Sequence, residues 1–151
     1  QRQPRIEDLL CEAGRFGQKT RAGWYSYDDG RTPTPDPWVR QLAHDWAAQQ
    51  NIPQSPASPE HICERTLFAL INEGAKVLEE GIATRPVDID IIYVTGYGFP
   101  VWRGGPMFYA DQVGIPRILA TIEKFRDRFG SHWEPASLLR KLAREGRGFH
   151  G

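Results

Sequence analysis

The chain has 151 residues with 19 basic and 19 acidic side chains, a formal net charge of zero, which removes any general electrostatic drive toward nucleic acid or an anionic membrane and leaves only local basic patches open. Cys11 and Cys63, the only cysteines, have neither CxxC spacing nor the density of a secreted disulfide scaffold, so they read as reduced thiols of a cytoplasmic protein. No apolar run approaches the roughly 18 residues of a membrane span, and QRQPRIEDLL has neither an initiator methionine nor a signal-peptide core, as expected of a fragment or processed chain.

In chain order, residues 4–13 place Ile6, Leu9, Leu10 and Ala13 at helical spacing, with Gly14 as a stop. Trp24, Tyr25 and Tyr27 suit a brief extended piece before the Asp28-Asp29-Gly30 turn. Asp36-Pro37 opens a helix to about Gln50, with Trp38, Val39, Leu42, Ala43 and Trp46 on one face. NIPQSPASP, from Asn51 to Pro59, concentrates proline, serine and asparagine and marks a linker. The division is therefore 1–50, a 51–58 linker, and 59–151.

Ser58-Pro59 starts the longest helix, 59–80. Its apolar or small face is Cys63, Leu67, Leu70, Gly74 and Leu78, widened by Ile62, Thr66, Ile71 and Ala75. Gly74 costs about 1 kcal/mol relative to alanine inside a helix, which close approach of another backbone would offset. VDIDIIYV, 87–94, alternates like a strand, and its β-branched residues agree with that. Residues 93–114 read as a shaped loop holding five glycines, two prolines and Arg103. Ile115, Ile118, Leu119, Ile122, Phe125 and Phe129 then define a helix ended by Gly130, and Leu138, Leu139 and Leu142 the buried face of a last short one.

Three stretches in order carry a family resemblance. Gly14–Tyr27 reads GRFGQKTRAGWYSY, Glu64–Ile82 reads ERTLFALINEGAKVLEEGI, and Tyr93–Gly114 reads YVTGYGFPVWRGGPMFYADQVG. Together they resemble the C-terminal domains of 3-hydroxyacyl-CoA dehydrogenases, above all those of multifunctional fatty-acid oxidation proteins. In that comparison Arg21 stands where the family usually has glycine. The resemblance implies an all-α helical bundle, with 1–50 as the end of a first C-terminal domain and 59–151 as a second, duplicated one. It also implies a helix, not a strand, over 87–94, and a parent enzyme that oxidises 3-hydroxyacyl-CoA with NAD.

Local motifs place the redox chemistry elsewhere. A dinucleotide fold announces itself by GxGxxG between strand and helix, but Gly96-Tyr97-Gly98-Phe99-Pro100-Val101 has Val101 at the third glycine position. No phosphate loop or HExxH zinc motif occurs, so no metal or bound cofactor is expected. The family's acid/base histidine and its glutamate belong to an upstream nucleotide-binding domain; His44, His61, His132 and His150 match neither, and His61 with Glu64 reads as a surface pair. No catalytic residue is expected here.

The candidate substrate-binding residues are Gly98, Phe99, Pro100, Arg103, Gly104, Gly105, Pro106 and Met107, beside an acyl-CoA cleft or its degenerate copy. A turn packed against neighbouring helices is the competing reading, in which Arg103 caps helix carbonyls or pairs with Asp111. Arg15, Lys19 and Arg21 form either a phosphate-facing cluster or a solvated basic turn. A single Arg103-Gly104-Gly105 is poor support for nucleic-acid binding. The expected partners are acyl-CoA and the upstream domain in the parent, with homo-oligomer contacts through helix 59–80. Two other functions stay open: a stand-alone helical interaction module and an acyl-CoA-binding protein without redox activity.

Overall fold

The computed structural model describes residues 5–54 and 56–151. They fall into two compact units that divide between Pro56 and Ala57. Each is considered by itself.

The first unit begins with α1 (Ile6–Glu12), whose Leu10 is buried. A glycine-punctuated turn leads into β1 (Tyr25–Ser26), which pairs antiparallel with β2 (Thr34–Pro35), Tyr25 opposite Pro35 and Ser26 opposite Thr34. Next comes α2 (Pro37–Gln49), started by Asp36, whose carboxylate accepts the Trp38 N–H at 2.8 Å. That one carboxylate also accepts from the Ser26 hydroxyl at 2.8 Å and pairs with the Arg15 guanidinium. Arg15 in turn donates to the Gly23 carbonyl and lies over the Trp38 ring. Turn, hairpin and helix thus meet on a single ion pair. Of the face expected on α2, Val39 alone is buried and Trp38 stays 46% exposed.

The second unit is helical throughout its described elements. Its long α3 (Pro59–Glu79) is capped by the Ser58 hydroxyl, which accepts the His61 N–H. The residues α3 buries are Phe68, Ile71, Asn72, Gly74 and Ala75. The face read from sequence is therefore turned by about one residue: Cys63 is exposed, while Leu67 and Leu70 are half-buried and border a cavity. A Cβ on Gly74 would stand 2.7 Å from Met107 Sδ, so the close neighbour is a side chain and not another backbone. The core joins Phe68, Ile71 and Ala75 to Ile115, Ile118, Ile122 and Phe125 of α6 (Ile115–Phe129) and to Leu139 and Leu142 of α7 (Ser137–Glu145). Asn72 locks this layer, donating to the Glu134 carbonyl at 3.0 Å and accepting the Ala136 N–H at 2.8 Å.

The ambiguous stretch is a helix, α4 (Pro86–Gly96). Pro86 at the first turn and Asp88, which accepts the Arg85 N–H at 3.1 Å, set its start against the local strand preference. Within the stretch read as a shaped loop lies a further helix, α5 (Pro106–Val113). Its cap comes from another element: buried Asp90 on α4 accepts the Met107 N–H at 2.7 Å and the Phe108 N–H at 3.2 Å.

Candidate cavity between α3, α4 and α5

The turn from α4 to α5 is shaped by where its backbone can go. The Phe99 N–H reaches back to the Tyr93 carbonyl at 2.9 Å, which folds Gly98 over the end of α4 and tucks Phe99 inward. A 3-10 turn, Val101–Arg103, follows. Gly105 then has φ 107°, and a Cβ there would come within 2.4 Å of the Asp90 side chain, so only glycine lets α5 start against that carboxylate.

One side of this turn borders a cavity of about 720 Å³, within the range that holds small ligands. Leu67, Phe68 and Leu70 of α3 form one wall. Tyr93, Tyr97, Phe99 and Pro100 form the second, and Tyr109 and Val113 of α5 the third. The charged groups on its border are Glu60, Glu64, Arg103 and Arg117, and the Cys63 thiol also lines it.

The eight residues singled out in sequence part company here. Gly98, Phe99, Pro100 and Arg103 line the cavity. Gly104, Gly105, Pro106 and Met107 do not; the last three are buried where α5 begins, Met107 completely. Neither role suggested for Arg103 as a turn residue is observed. Its guanidinium lies 4.3 Å from the Trp102 ring centre and 4.9 Å from that of Tyr109. Asp111 is occupied instead by the chain end, accepting the Phe149 N–H at 2.7 Å and the His150 N–H at 3.0 Å.

Asp90 is the polar centre that sequence reading missed. The His150 ring bridges it to Asp111, with Nε2 3.1 Å from Asp90 and Nδ1 2.9 Å from Asp111. Burial raises the Asp90 pKa above the ordinary value, against the lowering effect of the Met107 and Phe108 N–H bonds and of His150. A carboxylate inside VDIDIIYV was a signal in itself, because a buried aspartate needs donors, but those donors lie 17 and 18 residues on. His61 and Glu64 go separate ways: the His61 ring packs edge-on to Phe125 at 5.7 Å, and Glu64 pairs with Arg117 at 2.9 Å. In the first unit Arg15 belongs to the Asp36 pair, and Arg21 adopts left-handed φ 58° while donating to the Asp28 carbonyl.

Among the described residues the second unit is a domain of packed α-helices. Residues 61–148 match the family described as 3-hydroxyacyl-CoA dehydrogenase, C-terminal domain, and the chain belongs to that family. It is 46% identical over 145 residues to the peroxisomal bifunctional enzyme of Cavia porcellus and 46% to that of Danio rerio. It is 34% identical to a glyoxysomal fatty acid beta-oxidation multifunctional protein of Brassica napus. In each case 93% of this chain is covered but only 20% of the relative, so the chain spans about a fifth of their length. The crystal structure of the dehydrogenase part of multifunctional enzyme 1 from C. elegans shares the fold at TM-score 0.68 and 24% identity, over 93% of this chain and 33% of that one.

These relatives overturn the cytoplasmic expectation, because their names place them in peroxisomes and glyoxysomes. Two free cysteines carry no address within the cell. Among the described residues no helix is long and apolar enough to cross a membrane.

Proposed function

We propose that this chain is the C-terminal portion of a peroxisomal multifunctional enzyme of fatty-acid β-oxidation, whose dehydrogenase activity oxidises 3-hydroxyacyl-CoA to 3-ketoacyl-CoA with NAD as hydride acceptor. The observation that carries this is the 46% identity over 145 residues to bifunctional enzymes about five times as long. In that parent an upstream domain would hold NAD and the acid/base histidine. Residues 1–50 would complete a first C-terminal domain, 51–58 would connect, and 59–151 would form a second.

The chain's own share is binding, bracing and association. The cavity bordered by Gly98, Phe99, Pro100 and Arg103 supports an acyl-facing wall, and Gly104 to Met107 support it from behind by fixing α5. An association role has its own support in exposed apolar side chains: Ile91 and Ile92 of α4 are 54% and 55% exposed, and Trp102 in the turn that follows is 78% exposed. Exposed apolar groups of this kind mark contact surfaces. Helix 59–80, now α3, is the remaining candidate for contacts between copies.

The test is NADH formation from a 3-hydroxyacyl-CoA. The full-length protein should be active, deletion of residues 57–151 should lower activity severely, and the 151-residue chain alone should give none. NAD reduction by the chain alone, or an undiminished deletion protein, overturns the reading.

A further inference from the structure

The cavity between α3, α4 and α5 has an uneven charge pattern. Two glutamates and two arginines line it, Glu60, Glu64, Arg103 and Arg117. Glu64 and Arg117 neutralise one another at 2.9 Å. Glu60 stands in the first turn of α3, where the free N–H groups of the helix end favour a negative charge. Arg103 is different. Among the described residues no carboxylate pairs with it; two aromatic rings hold its guanidinium half-buried at the cavity wall.

Guanidinium stacked on aromatic faces keeps its edge donors free, and that edge matches a carboxylate in a two-point contact. The remaining walls are aliphatic or aromatic, led by Leu67, Phe68, Leu70 and Val113. A ligand that fits must therefore bring one negative charge and one apolar chain. Among the charged lining residues Arg103 is the cation without a carboxylate partner, so it balances a single negative charge, while each further charge of a polyphosphate head would add repulsion from Glu60.

We propose that this cavity seats a single-chain amphiphile with one anionic head, a fatty carboxylate, with the head on Arg103 and the chain along the α3 and α5 walls. The proposal rests on the reading of this cavity as acyl-facing, but it assigns the head group and requires neither NAD nor the upstream domain.

The experiment is calorimetric titration of the 151-residue chain with dodecanoate, dodecanol, dodecanoyl-CoA and CoA, NAD being absent. Dodecanoate should bind with one site per chain. Because a hydrogen-bonded charge is at stake, dodecanol should bind about tenfold more weakly or worse, and Arg103→Ala should weaken dodecanoate by a similar factor. Arg103→Lys keeps the charge without the two-point edge and should fall between. Leu70→Trp, at a half-buried wall position, should abolish binding with the helical circular dichroism spectrum unchanged.

Equal affinity for dodecanoate and dodecanol, no effect of Arg103→Ala, or no saturable binding overturns the proposal. So does dodecanoyl-CoA binding more tightly than dodecanoate, which would assign the head to the nucleotide. Since no NADH is measured, failure here leaves the dehydrogenase reading standing, and loss of activity in the parent leaves this titration unaffected.

Discussion

The two units solve the same problem by opposite means. In the second, Ile71, Ile118, Ile122 and Leu139 have no exposed surface and interlock three helices. In the first, Leu10 and Val39 are the buried apolar side chains among the described residues, while Phe16, Trp24 and Trp38 are 66%, 48% and 46% exposed. What the second unit obtains from apolar burial the first obtains from one ion pair with three attachments. A unit of that kind is specific in geometry but shallow in energy.

Core truncation should expose this contrast most strongly. Ile122→Ala should cost about 2–5 kcal/mol, because the surrounding helices cannot close fully over the lost methyl groups. Val39→Ala, at a site 7% exposed and thinly covered, should cost about 1 kcal/mol. Urea unfolding of both variants checks it, and equal losses would contradict the contrast.

Polar pins should come next. Asp36→Ala removes the cap of α2 and leaves Arg15 half-buried without its partner, at roughly 2 kcal/mol. Asn72→Ala strands the Ala136 N–H and the Glu134 carbonyl, again at about 2 kcal/mol. The two differ in reach. Hydrogen exchange should show Asp36→Ala loosening only the hairpin and α2, whereas Asn72→Ala should weaken protection across α3, α6 and α7 together. Uniform loosening by both would deny that the units are separately held.

How far each part could be read from sequence follows the reach of its determinants. The starts of α2 and α3 were legible because Asp36-Pro37 and Ser58-Pro59 are adjacent residues that act on the next turn. α4 was legible only through the resemblance, because the alternation of VDIDIIYV speaks locally for a strand. α5 was not legible at all, since its N–H groups are satisfied by Asp90 from another helix. The same holds for the His150 bridge, whose partners lie 39 and 60 positions away. For the cavity, glycine and proline marked Gly98 to Arg103, whereas the α3 wall required knowing which way that helix is rotated.

Smaller effects sharpen the comparison within the first unit. Arg21 holds φ 58°, and a side chain in the left-handed region costs about 1–2 kcal/mol. Glycine also loses more entropy on folding and forfeits the Arg21 bond to the Asp28 carbonyl, so Arg21→Gly should stabilise by only about 0.5–1 kcal/mol. A drop in melting temperature would mean that this bond outweighs the backbone strain.

Acid should separate the units through carboxylates shifted in opposite directions. Asp29 accepts from the Thr32 hydroxyl at 2.6 Å and from the N–H groups of Thr32 and Arg31 at 2.7 and 2.8 Å, which hold its pKa down from 3.8 to about 2. Asp36 is also lowered, first by the Ser26 hydroxyl and then by Arg15. An acid whose folded pKa is depressed stabilises fully above its unfolded value, and that contribution disappears as pH falls through the folded one. Both act on the hairpin. Asp90 is raised by burial, so the folded second unit holds that proton more tightly than the open chain. Its contribution therefore grows as pH falls through its folded pKa and is complete below about 3.8, the ordinary aspartate value. Lowering the pH from 5 toward about 2 should thus release the amides of the β1–β2 hairpin to exchange before those of α6. Asp29→Asn should remove part of that pH dependence, because the amide keeps acceptor geometry without titrating. Simultaneous release of both units, or earlier release of α6, would show that the second unit depends on ionised carboxylates more than its core packing implies.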